Sequence, residues 1–229
     1  MYLSRAVPRQ DIWRSPELLS MFESSYSIHQ AVWSMFPPDA DRKRDFLYRY
    51  DLKNGQPVIY LLSPEAPESL HGMWHVESKV YEPKISAGDV LGFTVRVNPV
   101  ITRWVEDVKR GKQVQKRHDV VMDFKHRCQE EGILCSQQEA EYSAGLKWFA
   151  DRGEKYGFSL IEPSFRVNEY VRREFVKKGK KQKVVISTLD AEGMLTVTNP
   201  ERFVEMLYSG IGPAKGFGCG LMLVRRVSL

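Results

Sequence analysis

A histidine and a tyrosine on one predicted helix are the residues of this chain whose chemistry is best suited to proton transfer. His29 follows Tyr26 by three positions in the apolar stretch that ends at Trp33. Residues three apart share a face of a helix, and a histidine can give or take a proton near neutral pH without a metal. Taken alone, a histidine in such a stripe is more often a packed structural residue.

A glycine-rich stretch near the C-terminus, residues 210–220, has a composition that suits contact with phosphates. It holds five glycines and one lysine, Lys215, in eleven residues. Backbone N–H groups and a lysine can hold a phosphate-bearing chain. Because a strand is predicted after the loop, a nucleotide-binding P-loop, which precedes a helix, is disfavoured. A long turn between a helix and an edge strand explains the glycines equally well.

The third feature is a basic segment, residues 172–183, with the pattern of a β-hairpin tip. It contains seven positive residues and one negative residue. The positive residues are Arg172, Arg173, Lys177, Lys178, Lys180, Lys181 and Lys183. Such a tip can contact nucleic-acid phosphates, although a solvated loop would have the same composition.

Charge is distributed unevenly along the chain. The net charge is +5, made up of −1 over residues 1–98 and +6 over residues 99–229. This asymmetry suggests a polyanionic partner for the C-terminal part, and a solvated basic surface is the alternative.

Several kinds of site are disfavoured by the sequence. Carboxylates are scattered and no Ser–His–Asp, His-Glu-x-x-His or Cys–His pattern occurs. The three cysteines, Cys128, Cys135 and Cys219, fit no zinc spacing. We therefore predict neither a metal nor a cofactor. Apolar runs fall short of the ~20 residues of a membrane helix, and the N-terminus lacks a signal-peptide pattern. These features favour a cytoplasmic protein without a membrane partner.

Hydrophobic periodicity predicts an α+β protein with two tandem ferredoxin-like (RRM-like) β-α-β-β-α-β domains. The N-terminal domain, 1–98, comprises strands at 2–7, 46–52, 58–62 and 90–98, a helix from Pro16 to about Phe36, and a short helix at 65–72. Asn54-Gly55 marks a hairpin turn. A basic connector follows at 99–118.

The C-terminal domain, 119–229, is predicted to carry the basic hairpin and the glycine-rich loop. Its strands are expected at 119–124, within 158–176, at 184–189, 194–198 and 221–224. Its helices are expected at 136–152, opened by a Ser136–Glu139 capping box, and at 201–208.

Five ordered pieces of the sequence together resemble one known family. They are Met1-Tyr2-Leu3-Ser4, His29-Gln30-x-x-Trp33-x-x-Phe36-Pro37, Arg44-Asp45-Phe46-Leu47-Tyr48, Arg96-Val97-Asn98-Pro99 and Gly210-Ile211-Gly212-Pro213-Ala214-Lys215-x-x-Gly218-Cys219-Gly220-Leu221. The chain is similar to the CRISPR-associated endoribonuclease CasE, the subunit of type I-E Cascade that processes precursor crRNA. The last motif is the most specific, and the pieces span nearly the whole chain.

The resemblance implies a metal-independent endoribonuclease that acts in antiviral defence. It implies cleavage just 3′ of the repeat hairpin by attack of a ribose 2′-hydroxyl, which leaves a 2′,3′-cyclic phosphate. His29 matches the catalytic histidine of the family and Tyr26 its neighbouring tyrosine. The expected partners are the precursor RNA, the mature crRNA and the other Cascade subunits.

Binding of the RNA backbone is assigned to the loop and the basic segment. The loop residues expected to bind RNA are Gly212, Lys215, Gly216 and Gly218. The basic hairpin at 177–183 matches no fixed motif of the family, so its role in the RNA major groove is a hypothesis. The alternative function is a non-catalytic RNA-binding or structural subunit of a ribonucleoprotein complex, with His29 merely packed.

Overall fold

The structure is a computed structural model, and it describes residues 1–10, 15–16, 20–22, 25–37, 43–69, 72–107, 111–176 and 183–227. The chain divides into two compact units. One comprises Met1–Lys84 with Val204–Met222, and the other Ile85–Phe203 with Leu223–Leu229. No helix within the described ranges is both long and apolar enough to cross a bilayer.

The first unit contains a four-stranded antiparallel sheet and a helix. Its elements are β1 (Tyr2–Pro8), α1 (Ser25–Trp33), β2 (Leu47–Lys53), β3 (Gln56–Ser63) and β4 (Trp74–Val80). The strand order β2-β3-β1-β4 is that of a ferredoxin-like sheet. The β2–β3 hairpin is closed at Asn54 and Gly55, whose φ angles of 52° and 75° fit the turn that Asn-Gly predicts.

A cluster of apolar side chains joins α1 to this sheet. Ile28 and Val32 point from the helix onto Phe46, Ile59 and their neighbours, and all of these side chains are buried. The predicted helix from Pro16 to Phe36 is not continuous, because Met21 and Phe22 lie in a turn. The core therefore fixes the last turns of the predicted helix, which carry His29.

The second unit repeats the topology with longer strands. Its elements are β5 (Val90–Val97), β6 (Val100–Asp107), β7 (Lys112–Asp119), α2 (Val120–Glu130), α3 (Gln137–Tyr156), β8 (Phe158–Val176) and β9 (Lys183–Val197). Two further elements follow, α4 (Pro200–Ser209) and β10 (Met222–Arg226). Each of these two contains a boundary between the units. Its sheet has the order β10-β5-β9-β8, and β6 and β7 form a separate hairpin. The Ser136–Glu139 capping box is confirmed at the start of α3.

The structure corrects the predicted domain limits of 1–98, 99–118 and 119–229. The predicted first domain includes the strand at Val90–Val97, which instead pairs with β9 in the second sheet. The fourth strand of the first sheet is β4, in which a single side chain, Trp74, is buried. Because β4 lies at the sheet edge and is mostly polar, its apolar signal was too weak to predict a strand.

Four further predictions differ from the structure. The connector at 99–118 is the β6–β7 hairpin. The strand expected at 119–124 is the start of α2, where the Asp119 carboxylate accepts hydrogen bonds from the N–H groups of Val121 and Met122. Residues 64–69 are not helical. The strands expected at 184–189 and 194–198 are one strand, β9, and it pairs with β8 as far as Val176 and Lys183.

The glycine-rich loop also belongs to a different unit from the one predicted. Residues 204–222 are part of the first unit, with α1 and β2, and not of the C-terminal domain. Sequence distance gave no indication of this, since about 180 residues separate the loop from His29. His29 and the glycine-rich loop therefore lie in the same compact unit.

Candidate active site

His29 lies in the last two turns of α1, and its side chain is half-buried. The indole Nε1 of Trp33, four residues later, donates a hydrogen bond to His29 Nε2 at 2.8 Å. An indole nitrogen can only donate, so Nε2 carries the lone pair and neutral His29 holds its proton on Nδ1. This bond fixes both the tautomer and the plane of the imidazole.

Aromatic rings and a cation surround His29. The ring centroids of Phe46 and Tyr48 lie 6.4 and 6.2 Å from that of the imidazole. His29 Nδ1 is buried and makes no hydrogen bond within the described part of the chain. Burial first, and the positive charge of Arg44 second, hold the pKa of His29 below its ordinary value. The imidazole is therefore largely neutral at pH 7, the form that accepts a proton.

The glycine-rich loop borders this histidine. A short 3-10 helix, Lys215–Phe217, places Gly216 where an added Cβ atom would lie 3.9 Å from His29 Cε1. The loop is closed at its base, where the N–H of Ile211 donates to the carbonyl of Gly220 at 3.0 Å. The backbone of the loop thus approaches the imidazole without a side chain in between.

Tyr48, on β2, holds the loop in this position. Its hydroxyl donates to the carbonyl of Gly216 at 3.0 Å. An added Cβ at Gly218 would lie 3.3 Å from Tyr48 Cε2, and the φ of Gly218 is +77°, so a side chain there would be strained. Burial raises the pKa of the Tyr48 phenol. Tyr48 therefore positions the loop and does not exchange protons near neutral pH.

Lys215 makes a structural contact within the loop. Its Nζ donates to the carbonyl of Ser209, the last residue of α4, at 2.5 Å. A cation at a helix C-terminus satisfies a carbonyl that lacks an intrahelical partner. Gly212, which has a φ of +76°, lies in the same loop. The predicted contacts of both residues with RNA stay predictions.

Arg44 is a site residue that sequence reasoning did not single out. Its Nη1 donates to the carbonyl of Phe46 at 2.9 Å, and its side chain is exposed. In the sequence it belongs to the Arg44–Tyr48 motif, which indicates the family resemblance but gives Arg44 no role of its own. The signal that could have identified it is an arginine two residues before Phe46, whose ring lies near that of His29.

The other predicted site residues are only partly described. Tyr26 lies in the first turn of α1, and only its backbone is described. Arg172 is exposed on β8 opposite Ser187. The backbones of Arg173 and Lys183 belong to β8 and β9, whereas Lys177, Lys178, Lys180 and Lys181 lie outside the described residues. Among the described residues, no group of three His, Cys, Asp or Glu could hold a metal ion.

Comparison with known proteins gives one consistent result. A family model described as CRISPR associated protein matches residues 1–226. The CRISPR system Cascade subunit CasE of Escherichia coli (strain K12) is 31% identical over 199 residues, which cover 86% of this chain and 89% of that protein.

Two solved structures are similar to nearly the whole of this chain. Cse3 of Thermus thermophilus bound to an RNA that represents a pre-cleavage complex has a TM-score of 0.70 at 22% identity, over 98% of both chains. Cas6e from Escherichia coli str. K-12 has a TM-score of 0.58 at 25% identity, over 99% of this chain and all of that one. The predicted α+β fold with tandem ferredoxin-like domains is confirmed by this likeness and by the strand orders of the two sheets.

Proposed function

The chain belongs to the CasE family of CRISPR-associated proteins, and on that premise we propose that it is a metal-independent endoribonuclease. It cuts CRISPR precursor RNA just 3′ of the repeat hairpin. It then stays bound to the mature crRNA and assembles with the other subunits of type I-E Cascade. The resemblance of the whole chain to CasE supports the substrate and the partners.

The reaction is attack of a ribose 2′-hydroxyl on the adjacent phosphate. A new bond forms between the 2′-oxygen and phosphorus, and the bond from phosphorus to the 5′-oxygen breaks. The products are a 2′,3′-cyclic phosphate and a 5′-hydroxyl. One group must take the 2′-hydroxyl proton and another must protonate the departing 5′-oxygen.

His29 takes the 2′-hydroxyl proton in this scheme. The imidazole is neutral at pH 7 because burial and the charge of Arg44 lower its pKa. Its lone pair is on Nε2, where Trp33 now donates, so the ribose hydroxyl would replace that indole as the donor. Tyr26, three residues before His29 on α1, shares or orients the transfer.

The observation that carries the proposal is the approach of the glycine-rich loop to His29. Gly216 presents only backbone beside the imidazole, with a Cβ position 3.9 Å from Cε1. An RNA backbone held along this loop would place a phosphate next to the proton acceptor. Arg44, exposed beside the same histidine, supplies a cation for the negative charge that builds up on phosphorus.

The same geometry bears on the alternative, a non-catalytic RNA-binding subunit. The Trp33–His29 hydrogen bond is also what a packed, structural histidine would make. The two functions differ in one outcome, which is cleavage of a repeat-hairpin RNA from the source of the protein in the presence of EDTA.

The test compares wild type with His29→Ala and with His75→Ala. His75 is an exposed histidine in β4 of the same unit, so it is a matched control. We expect cleavage in EDTA by wild type and by His75→Ala, and none by His29→Ala, with RNA binding kept by all three. Binding without cleavage by wild type would favour the alternative.

A further inference from the structure

The β6–β7 hairpin has one face that is exposed throughout. Trp104 lies opposite Gln115 in the strand register, and residues two positions away on each strand share its face. The six side chains of this outer face are Thr102, Trp104, Glu106, Gln113, Gln115 and Arg117, and all are exposed. Trp104 itself is 64% exposed, which is unusual for the largest apolar side chain.

The opposite face of the hairpin is the one that packs. Ile101, Val105 and Val114 on that face are partly buried. Arg103, on the same side, forms an ion pair with Asp123 of α2 at 2.8 Å. The exposure of Trp104 therefore does not result from a loose hairpin, since its reverse side is packed.

The base of the hairpin is also anchored. The carbonyl of Val100, the first residue of β6, accepts hydrogen bonds from Trp148 Nε1 at 3.1 Å and from Arg152 Nη2 at 3.2 Å. The guanidinium of Arg152 lies 3.7 Å from the centre of the Trp148 ring. The strand that carries Trp104 is therefore anchored at its first residue, Val100, by hydrogen bonds from two side chains of α3.

The composition of the outer face fits a nucleic acid better than a protein. Around Trp104 stand an arginine, two glutamines, a threonine and a glutamate, and none of these is aliphatic. A dry protein interface would have to desolvate those polar groups. An unpaired base needs one aromatic ring to stack on and polar groups beside it. Across residues 100–119 the sequence has six Lys and Arg against three Asp and Glu, and of these charged residues Arg117 and Glu106 lie on the outer face.

We propose that the outer face of the β6–β7 hairpin binds single-stranded RNA, with an unpaired base stacked on the Trp104 indole. Arg117 contacts a phosphate of the same strand, and Gln115 donates to the base edge. The inference rests on the proposed function only in taking RNA as the partner. It adds a contact region on the second unit, whereas His29 belongs to the first.

The test measures affinity for two fluorescein-labelled probes, an oligoadenylate of about 12 nucleotides and a blunt RNA duplex of the same length. Neither probe contains a repeat hairpin, so the result does not depend on cleavage. We expect Trp104→Ala to weaken oligoadenylate binding roughly ten-fold and duplex binding about two-fold or less. Trp104→Phe should retain most of the affinity, because a phenyl ring still stacks.

The matched control is Leu134→Ala, which removes another exposed apolar side chain of the same unit. It should bind both probes as wild type does. On titration with oligoadenylate, the Trp104 indole N–H resonance should shift, identified by its loss in Trp104→Phe. Unchanged oligoadenylate affinity in Trp104→Ala, or an equal loss for duplex, would overturn the proposal. Lost binding to another Cascade subunit with RNA affinity intact would assign the face to a protein.

Discussion

The hydroxyl of Tyr48 donates to the carbonyl of Gly216, 168 residues later in the chain, at 3.0 Å. This bond attaches the C-terminal glycine-rich loop to strand β2 beside the half-buried His29. If the loop holds the RNA backbone next to the imidazole, the Tyr48–Gly216 bond controls the spacing between the two.

Tyr48→Phe should lower both stability and cleavage. The variant keeps the buried ring but leaves the Gly216 carbonyl without its donor, which costs about 1 kcal/mol of the free energy of unfolding. Urea unfolding measures the stability, and single-turnover cleavage measures the rate. Tyr60→Phe is the control, since the Tyr60 hydroxyl bonds only the exposed Lys53 among the described residues. If Tyr48→Phe and Tyr60→Phe behave alike, Tyr48 does not hold the loop.

Two glycines of the loop should respond differently to alanine. Gly218 has a φ of +77°, so Gly218→Ala should destabilise the protein by about 1–2 kcal/mol. At Gly216 an added Cβ has ordinary contact distances, 3.9 Å to His29 Cε1. Gly216→Ala should therefore leave the melting temperature unchanged and still slow cleavage, because the methyl group occupies the space beside the imidazole. If Gly216→Ala cleaves RNA at the wild-type rate, the loop is not part of the active site.

The pH dependence of cleavage should respond to Arg44. Burial, and then the charge of Arg44, lower the pKa of His29. Because a positive neighbour disfavours imidazolium, Arg44→Gln raises that pKa. If neutral His29 accepts the proton, the rate rises with pH through this pKa, so the rising limb of the profile moves to higher pH in Arg44→Gln. Arg44→Lys keeps the charge and should leave the limb in place. A limb that moves to lower pH in Arg44→Gln would contradict the assigned role.

The basic segment between β8 and β9 should govern the salt dependence of RNA binding. Replacing Lys177, Lys178, Lys180 and Lys181 by alanine should weaken binding of the repeat hairpin. It should also reduce the slope of log affinity against log salt by roughly 0.7–0.9 for each lysine that contacts a phosphate. Filter binding between about 50 and 200 mM salt measures both. An unchanged affinity and slope would remove this segment from the RNA interface.

Local sequence signals predicted local structure well. Asn54–Gly55 forms the expected hairpin turn, and Ser136 and Glu139 form the expected capping box. Both depend on residues within one turn of each other. The domain limits were wrong because they depended on which strands pair. The apolar strand Val90–Val97 gave a strong signal and was assigned to the wrong sheet, whereas β4 gave almost none.

The sequence singles out His29 as the candidate for proton transfer but does not reveal what surrounds it, and the catalytic role of His29 stays a prediction. His29 stood out by its chemistry and by the motif that contains Trp33 and Phe36. Its neighbours Tyr48 and Gly216, and Arg44, whose charge acts on it, belong to other segments of the chain, and no periodic pattern in the sequence predicts this arrangement. The hydrogen bond from Lys215 to the carbonyl of Ser209 was likewise not indicated by the sequence, and the predicted contact of Lys215 with RNA stays a prediction.

The central claim is that His29 promotes attack by a ribose 2′-hydroxyl without a metal. The most direct measurement is cleavage in EDTA of two repeat-hairpin RNAs, one of which carries a 2′-deoxyribose at the nucleotide 5′ to the mapped cut, with product ends identified by mass spectrometry. We predict that wild type cuts only the all-ribose RNA and leaves a 2′,3′-cyclic phosphate, and that His29→Ala binds both RNAs and cuts neither. Cleavage of the deoxy-substituted RNA at the same bond, or undiminished cleavage by His29→Ala, would contradict the account.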